Sequence, residues 1–172
     1  MAHTFSLNKE SLKRKYSVYV VVARGLDNTK LYVGKTGDNN EGCNPVISRC
    51  GNHFSYNKIH SQLRNKIDDH ETREYTYIFD HFDDYPENAA ARRLCIEKIN
   101  EIERWVNVQI QGLIKIHEKL SLLNSFAAVG NVNQTERDRR AVHHTPANAR
   151  KVEGILAAVR DLLGIPALPS AT

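Results

Sequence analysis

Apolar and polar residues alternate along this chain in two rhythms. From Tyr16 to Ala23 the run YSVYVVVA is almost continuously apolar and rich in β-branched valine, which predicts a strand. Gly25 to Thr29 (GLDNT) is turn chemistry, and Leu31-Tyr32-Val33 reads as the return strand of a hairpin. A third period-2 segment, EYTYIFDHF, predicts another strand over 74–82.

Between these strands the period changes. Gly37 to Gly42 is a polar loop, and Asn44-Pro45 marks a helix start, with Asn as cap and Pro in the first turn. That helix should carry Val46, Ile47 and Cys50 to about Phe54, with a second short helix over 58–67. One long helix is predicted from Glu87 to about Leu120. At ~100° per residue, Cys95, Ile99, Ile102, Val106, Ile110 and Leu113 fall on one stripe. The polar stretch 130–149 reads as a linker or mobile loop. A last amphipathic helix, Ala147 to Leu163, then carries Val152, Ile155, Leu156 and Val159 and stops at Gly164. Together these predict an α/β (α+β) sandwich: a small three-stranded antiparallel sheet flanked by helices, with a C-terminal helical extension. Residues 1–128 form the expected main domain. Residues 129–172 form a linker and a helix that packs on the core or on a second subunit.

Composition narrows the class. The longest apolar run, 18–23, is far short of the ~20 residues that cross a bilayer, so no membrane span is expected. The first residues, MAHTFSLNKESLKRK, lack the apolar core of a secretion signal, which makes the cytoplasm the expected compartment. Cys43, Cys50 and Cys95 are an odd set without C-x-x-C spacing, against a disulfide framework or a structural zinc site. The net charge of +4 leans toward a polyanionic partner.

Several polar side chains stand out on this scaffold. Tyr19 is mid-strand, Tyr32 lies on its partner strand, and Lys35 follows. Arg49 and His53, four apart, share a helix face. Glu103 lies about 40° from the centre of the apolar stripe, between Ile99 and Val106, whereas Glu97 and Glu101 point to the far side. A carboxylate on such a face is costly to bury unless it is paired or holds a cation. Trp105, off the stripe, should pack against the C-terminal segment. His143-His144 suits a solvated loop, and Arg137, Arg139 and Arg140 either solubilise a linker or touch a nucleic-acid backbone.

In this order the residues resemble the GIY-YIG nuclease family. Ser17-Val18-Tyr19 stands for the GIY element, with Ser17 in place of its first glycine, and Tyr32-Val33-Gly34 for YIG. Lys35, the Arg49 and His53 pair, Glu103, and Asn124 in LLNS match the later motifs; residues 38–44 look like an insertion. Each motif is weak alone, and their joint order carries the likeness over residues 16–126.

The resemblance implies a GIY-YIG fold and a divalent-metal-dependent endonuclease of restriction, defence or repair type, acting on DNA rather than RNA. Tyr19 would be the general base, its pKa lowered by Lys35, and Tyr32 would position water or phosphate. Arg49 would hold phosphate oxygens, and His53 would orient the water or act as base. Glu103 would bind one Mg²⁺ or Mn²⁺, Gly34 would let the chain turn between Tyr32 and Lys35, and Asn124 would close the site. Sequence reading by the enzyme would fall to residues 38–44, residues 55–73 or the tail. Cutting both strands would require a homodimer, with the C-terminal helix as candidate contact. A ribonuclease or toxin of the same fold, or a catalytically silent nucleic-acid-binding module, are the rival functions.

Overall fold

A computed structural model describes residues 2–37, 42–57, 59–124 and 134–166. Among these, the chain is α/β, with one four-stranded mixed sheet and four α-helices. The strands are β1 (Lys15–Arg24), β2 (Thr29–Lys35), β3 (Glu74–Asp84) and β4 (Leu120–Leu122), in the order β3-β1-β2-β4. β1 runs antiparallel to both β2 and β3, whereas β4 is parallel to β2. The expected three-stranded antiparallel sheet therefore gains a fourth, parallel strand.

β4 arises where the long helix was predicted to continue. That helix, α2 (Ala89–Ile114), starts on Asn88, whose side chain accepts from the Ala91 N–H, and stops six residues before Leu120. The chain then turns back along β2, and the Thr29 N–H donates to the Lys119 carbonyl at 2.9 Å. Without β4, the outer edge of β2 would present unpaired backbone groups. Three residues are too few for a period to show.

Strand β1 is buried from Tyr16 to Ala23 and serves two cores. Tyr16, Val18, Val20 and Val22, with Leu31 and Val33 of β2, face Ile96, Ile99, Ile102, Val106 and Ile110 of α2. The same cluster takes Val152, Ile155, Leu156 and Val159 of α4 (Pro146–Leu163). Helix α4 begins on the Thr145 cap with Pro146 in its first turn and ends at Gly164, whose φ of 66° is the left-handed conformation that glycine adopts without penalty. On the other face Tyr19, Val21, Ala23 and Tyr32 pack on Leu63 and Ile67.

Three further expectations change. Helix α1 (Val46–Phe54) forms, but Pro45 occupies the capping position and no side chain caps it. The second short helix does not form: the described residues of 58–67 are turns, with the Ser61 hydroxyl bonded to the carbonyls of Ser55 and Asn57. Within the stretch read as a linker, α3 (Gln134–Ala141) forms without any buried residue. It is held by Glu136 pairing with Arg139 and Arg140, at one-turn spacing that periodicity of apolar residues cannot register. Residues 38–41 of the insertion and 130–133 of the linker lie outside the described residues. No described helix is long and apolar enough to cross a membrane.

Candidate active site

Register places the two tyrosines on one face. Tyr19 lies opposite Gly34, and Tyr32 opposite Val21, so both rings project to the side away from α2 and α4. Gly34 sits inside β2 rather than at a turn. A Cβ there would lie 2.5 Å from the Tyr19 hydroxyl oxygen, so the glycine makes room for the Tyr19 ring. That close approach, not backbone turning, accounts for it.

Helix α1 brings Arg49 and His53 against this pair. His53 is 1% exposed, with Nε2 at 3.1 Å from the Tyr19 hydroxyl and Nδ1 at 2.9 Å from the Tyr77 hydroxyl. Burial, reinforced by the Arg49 charge, lowers the His53 pKa to about 4, so the ring is neutral at pH 7. The Arg49 charge acts on the Tyr19 hydroxyl, and Cys50 lies beside Tyr77.

Burial favours one direction for these hydrogen bonds. The Arg49 charge faces the Tyr19 oxygen and turns its proton toward the imidazole. Tyr19 is sealed from solvent, which leaves His53 Nε2 to accept its proton. Nδ1 then carries the ring hydrogen and donates it to Tyr77. In that tautomer donation runs from Tyr19 through His53 to Tyr77. Burial holds the Tyr19 phenol well above its ordinary range, with Arg49 pulling the other way, so the phenol keeps its proton at rest. Burial likewise raises the Cys50 thiol.

In front of this sealed layer lies a more open one. Glu103, on α2, is half-buried, and burial raises its carboxyl to about 7 against the pull of Lys35 and Arg49. Tyr32 is raised by burial and by Glu103, and Arg49 opposes this. Arg49 Nε is buried with no hydrogen-bond partner. Lys35 donates to the Gly37 carbonyl at 2.8 Å and acts electrostatically on Glu103. The cation beside Tyr19 is therefore Arg49, where Lys35 was expected.

Asn124 does not offer its side chain to a substrate. Its Oδ1 accepts from the Val33 N–H at 3.1 Å, and its Nδ2 donates to the Val33 carbonyl at 2.6 Å. Asn107, fully buried on α2, donates to the Asn124 carbonyl at 2.9 Å. Asn124 thus extends β4 by one pseudo-residue and holds β2 in place behind Tyr32.

Sequence reasoning missed Tyr77 and Asn107. Tyr77 was within reach: it lies opposite Val21 on β3, and the alternation that predicts β3 puts it on the Tyr19 face. Asn107 had no such signal. Glu101 was misplaced. It is 3% exposed, bound by Arg104 and by His144 Nε2 at 2.7 Å. Burial pushes its pKa up, but those hydrogen bonds outweigh burial and hold it low. His144, expected to be solvated, also stacks on Trp105 with ring centroids 4.2 Å apart, which is how Trp105 meets the C-terminal segment.

Among the described residues no three His, Cys, Asp or Glu side chains converge, so a cation here would take Glu103 as its single protein carboxylate. Mg²⁺ accepts such sites, keeping water and phosphate oxygens in its remaining positions. No protein-family model, curated protein or solved structure matches this chain.

Proposed function

We propose that this chain is a GIY-YIG-type endonuclease that hydrolyses DNA phosphodiester bonds with one Mg²⁺ or Mn²⁺ ion held by Glu103. The observation that carries this reading is the meeting of Tyr19, Tyr32, Arg49, His53 and Glu103, drawn from three separate parts of the chain, around one site. The sealed hydrogen-bonded row behind the site favours an enzyme over a silent binding module, which has no need to order a proton.

Bound at Glu103, the ion would supply positive charge against the developing charge of the phosphate and the leaving oxygen. Arg49, with its unsatisfied Nε, grips the phosphate from the other side. Because Tyr19 is sealed and keeps its own proton at rest, it can serve as base only once substrate binding brings the attacking water against its hydroxyl, where it would take a proton from water and hand its own to His53 Nε2 in the same step. Tyr19 and His53 therefore act as one base, and the water oxygen attacks phosphorus as the bond to the 3′ oxygen breaks. Tyr32, at the open side, positions water or phosphate.

A plasmid-nicking assay with and without Mg²⁺, on wild type and Glu103→Ala, tests this. Wild type should nick only with the metal, and Glu103→Ala should lose nicking by 10²-fold or more, on the order of one lost transition-state charge contact. No metal-dependent cleavage of DNA by wild type sinks the reading. Cleavage of RNA in its place points to the ribonuclease, and nicking that survives in Glu103→Ala removes the metal assignment.

A further inference from the structure

We propose that the described residues of 55–67 (55–57 and 59–67), part of the stretch between α1 and β3, are the surface that takes the DNA strand beside the site. This rests on the nuclease reading above.

The segment lacks regular structure yet is tied down at many points. Leu63 and Ile67 are fully buried in the cluster that contains Tyr19 and Tyr32. Ser61 is also fully buried. The Arg64 backbone N–H donates to the His53 carbonyl at 3.1 Å, and its Nε donates to the Ser55 carbonyl at 2.8 Å. What its described residues present outward is therefore held in fixed position relative to α1 and His53.

What it presents is unusual for a polar loop. Tyr56 is 83% exposed and Ile59 is 75% exposed. The Arg64 guanidinium lies 4.7 Å over the Tyr56 ring, and Lys66 Nζ lies 5.7 Å from the Tyr32 ring centroid. Between Ser55 and Ile67 the sequence holds Lys58, Arg64 and Lys66 and no acidic residue. A partner must therefore be anionic and must also offer flat or apolar faces to an exposed aromatic. A nucleic-acid strand offers both, with phosphates for Lys66 and Arg64 and a sugar or base for Tyr56. An acidic peptide would satisfy the cations, but it would not explain why Lys66 sits on the ring of Tyr32 at a phosphodiester site. Lys66 then holds the phosphate next to the scissile one, and the Tyr56–Arg64 stack holds the nucleotide beyond it.

The test measures binding of wild type to a fluorescent DNA duplex in EDTA across a salt series. The Arg64→Ala/Lys66→Ala double variant should bind at least tenfold more weakly, with the salt slope reduced by about 2, one counterion release per lost phosphate contact. Tyr56→Ala should weaken binding about fivefold or more. The control, Lys115→Ala/Lys119→Ala, removes two exposed cations near the Thr29 end of β2 and should change affinity less than twofold. Wild-type affinity in the Arg64/Lys66 variant, or an equal loss in the control, overturns the proposal, as does tighter binding of RNA through the same residues. Nicking by wild type, measured in parallel with Mg²⁺, separates the two failures: intact nicking with unaffected binding in the double variant sinks only the surface.

Discussion

The two faces of β1 differ in kind although the same strand builds both. Val18, Val20 and Val22 meet α2 and α4 through aliphatic side chains. Tyr19 and its neighbours meet His53 and Tyr77 through a row of buried polar atoms. One face supplies stability that depends on shape and apolar area. The other spends stability to hold a fixed pattern of donors and acceptors, which is tolerable only because the partners are paired along the row. Alternation along a single strand is enough to keep the two roles apart.

The strongest way to break that comparison is one truncation on each face. Ile102→Ala, on the aliphatic face, should cost about 2–5 kcal/mol in denaturant unfolding and leave the rate per folded molecule unchanged. Arg49→Ala, on the polar face, should remove about 10²–10³-fold of cleavage with a much smaller loss of stability. A parallel loss of both properties in either variant would mean that the faces are not separate.

The polar face should also show itself in the pH dependence of stability in EDTA. Unfolded, Glu103 loses its proton near 4.5, whereas in the fold it holds it to about 7. The folded state carries the extra proton between those values, so this group lowers stability as pH rises. His53 runs the other way. It is protonated near 6.5 when unfolded but stays neutral in the fold down to about 4, so it lowers stability as pH falls. Each limb is worth on the order of 3 kcal/mol. The two oppose each other between 4.5 and 6.5, which should leave a flat wild-type melting curve there. Glu103→Gln should remove the alkaline limb and His53→Gln the acid limb. A melting temperature that tracks pH identically in all three proteins would show these burial effects to be absent.

The smallest effect sharpens the donor row itself. Tyr77→Phe keeps the ring but removes the acceptor of the His53 Nδ1 hydrogen, at about 1–3 kcal/mol. Nitrogen NMR of the His53 ring should then show loss of the single Nδ1–H form expected of wild type. An unchanged tautomer would show that Tyr77 does not set it.

How much of this was legible beforehand follows from what repeats along the chain. β1, β2, β3, the stripe of α2 and the extent of α4 each rest on several turns or pairs of a regular period, and the structure carries all of them. β4 is three residues long, α3 has no apolar side, and 55–67 is shaped by Ser61 and by two buried anchors rather than by any period. The residues that meet around Tyr19 could be picked out by type and order. Their connections could not, because those depend on which side chains meet across strands. Hence Arg49 in place of Lys35 beside Tyr19, Gly34 as space for a ring, and Asn124 as a backbone clamp came only with the fold.

The contact between Glu101 and His144 bears on where the chain can be cut. The motif residues end at Asn124, yet the side chains that complete the first core lie on α4, and Arg24 donates to the Leu162 carbonyl at 2.6 Å. A fragment cut just after the motifs would leave Glu101 without His144, Trp105 without its stacking partner, and an apolar sheet face without its cover. The stretch that holds the motif residues is therefore shorter than the stretch that covers the sheet they stand on. The smallest workable piece of this protein runs through Leu163.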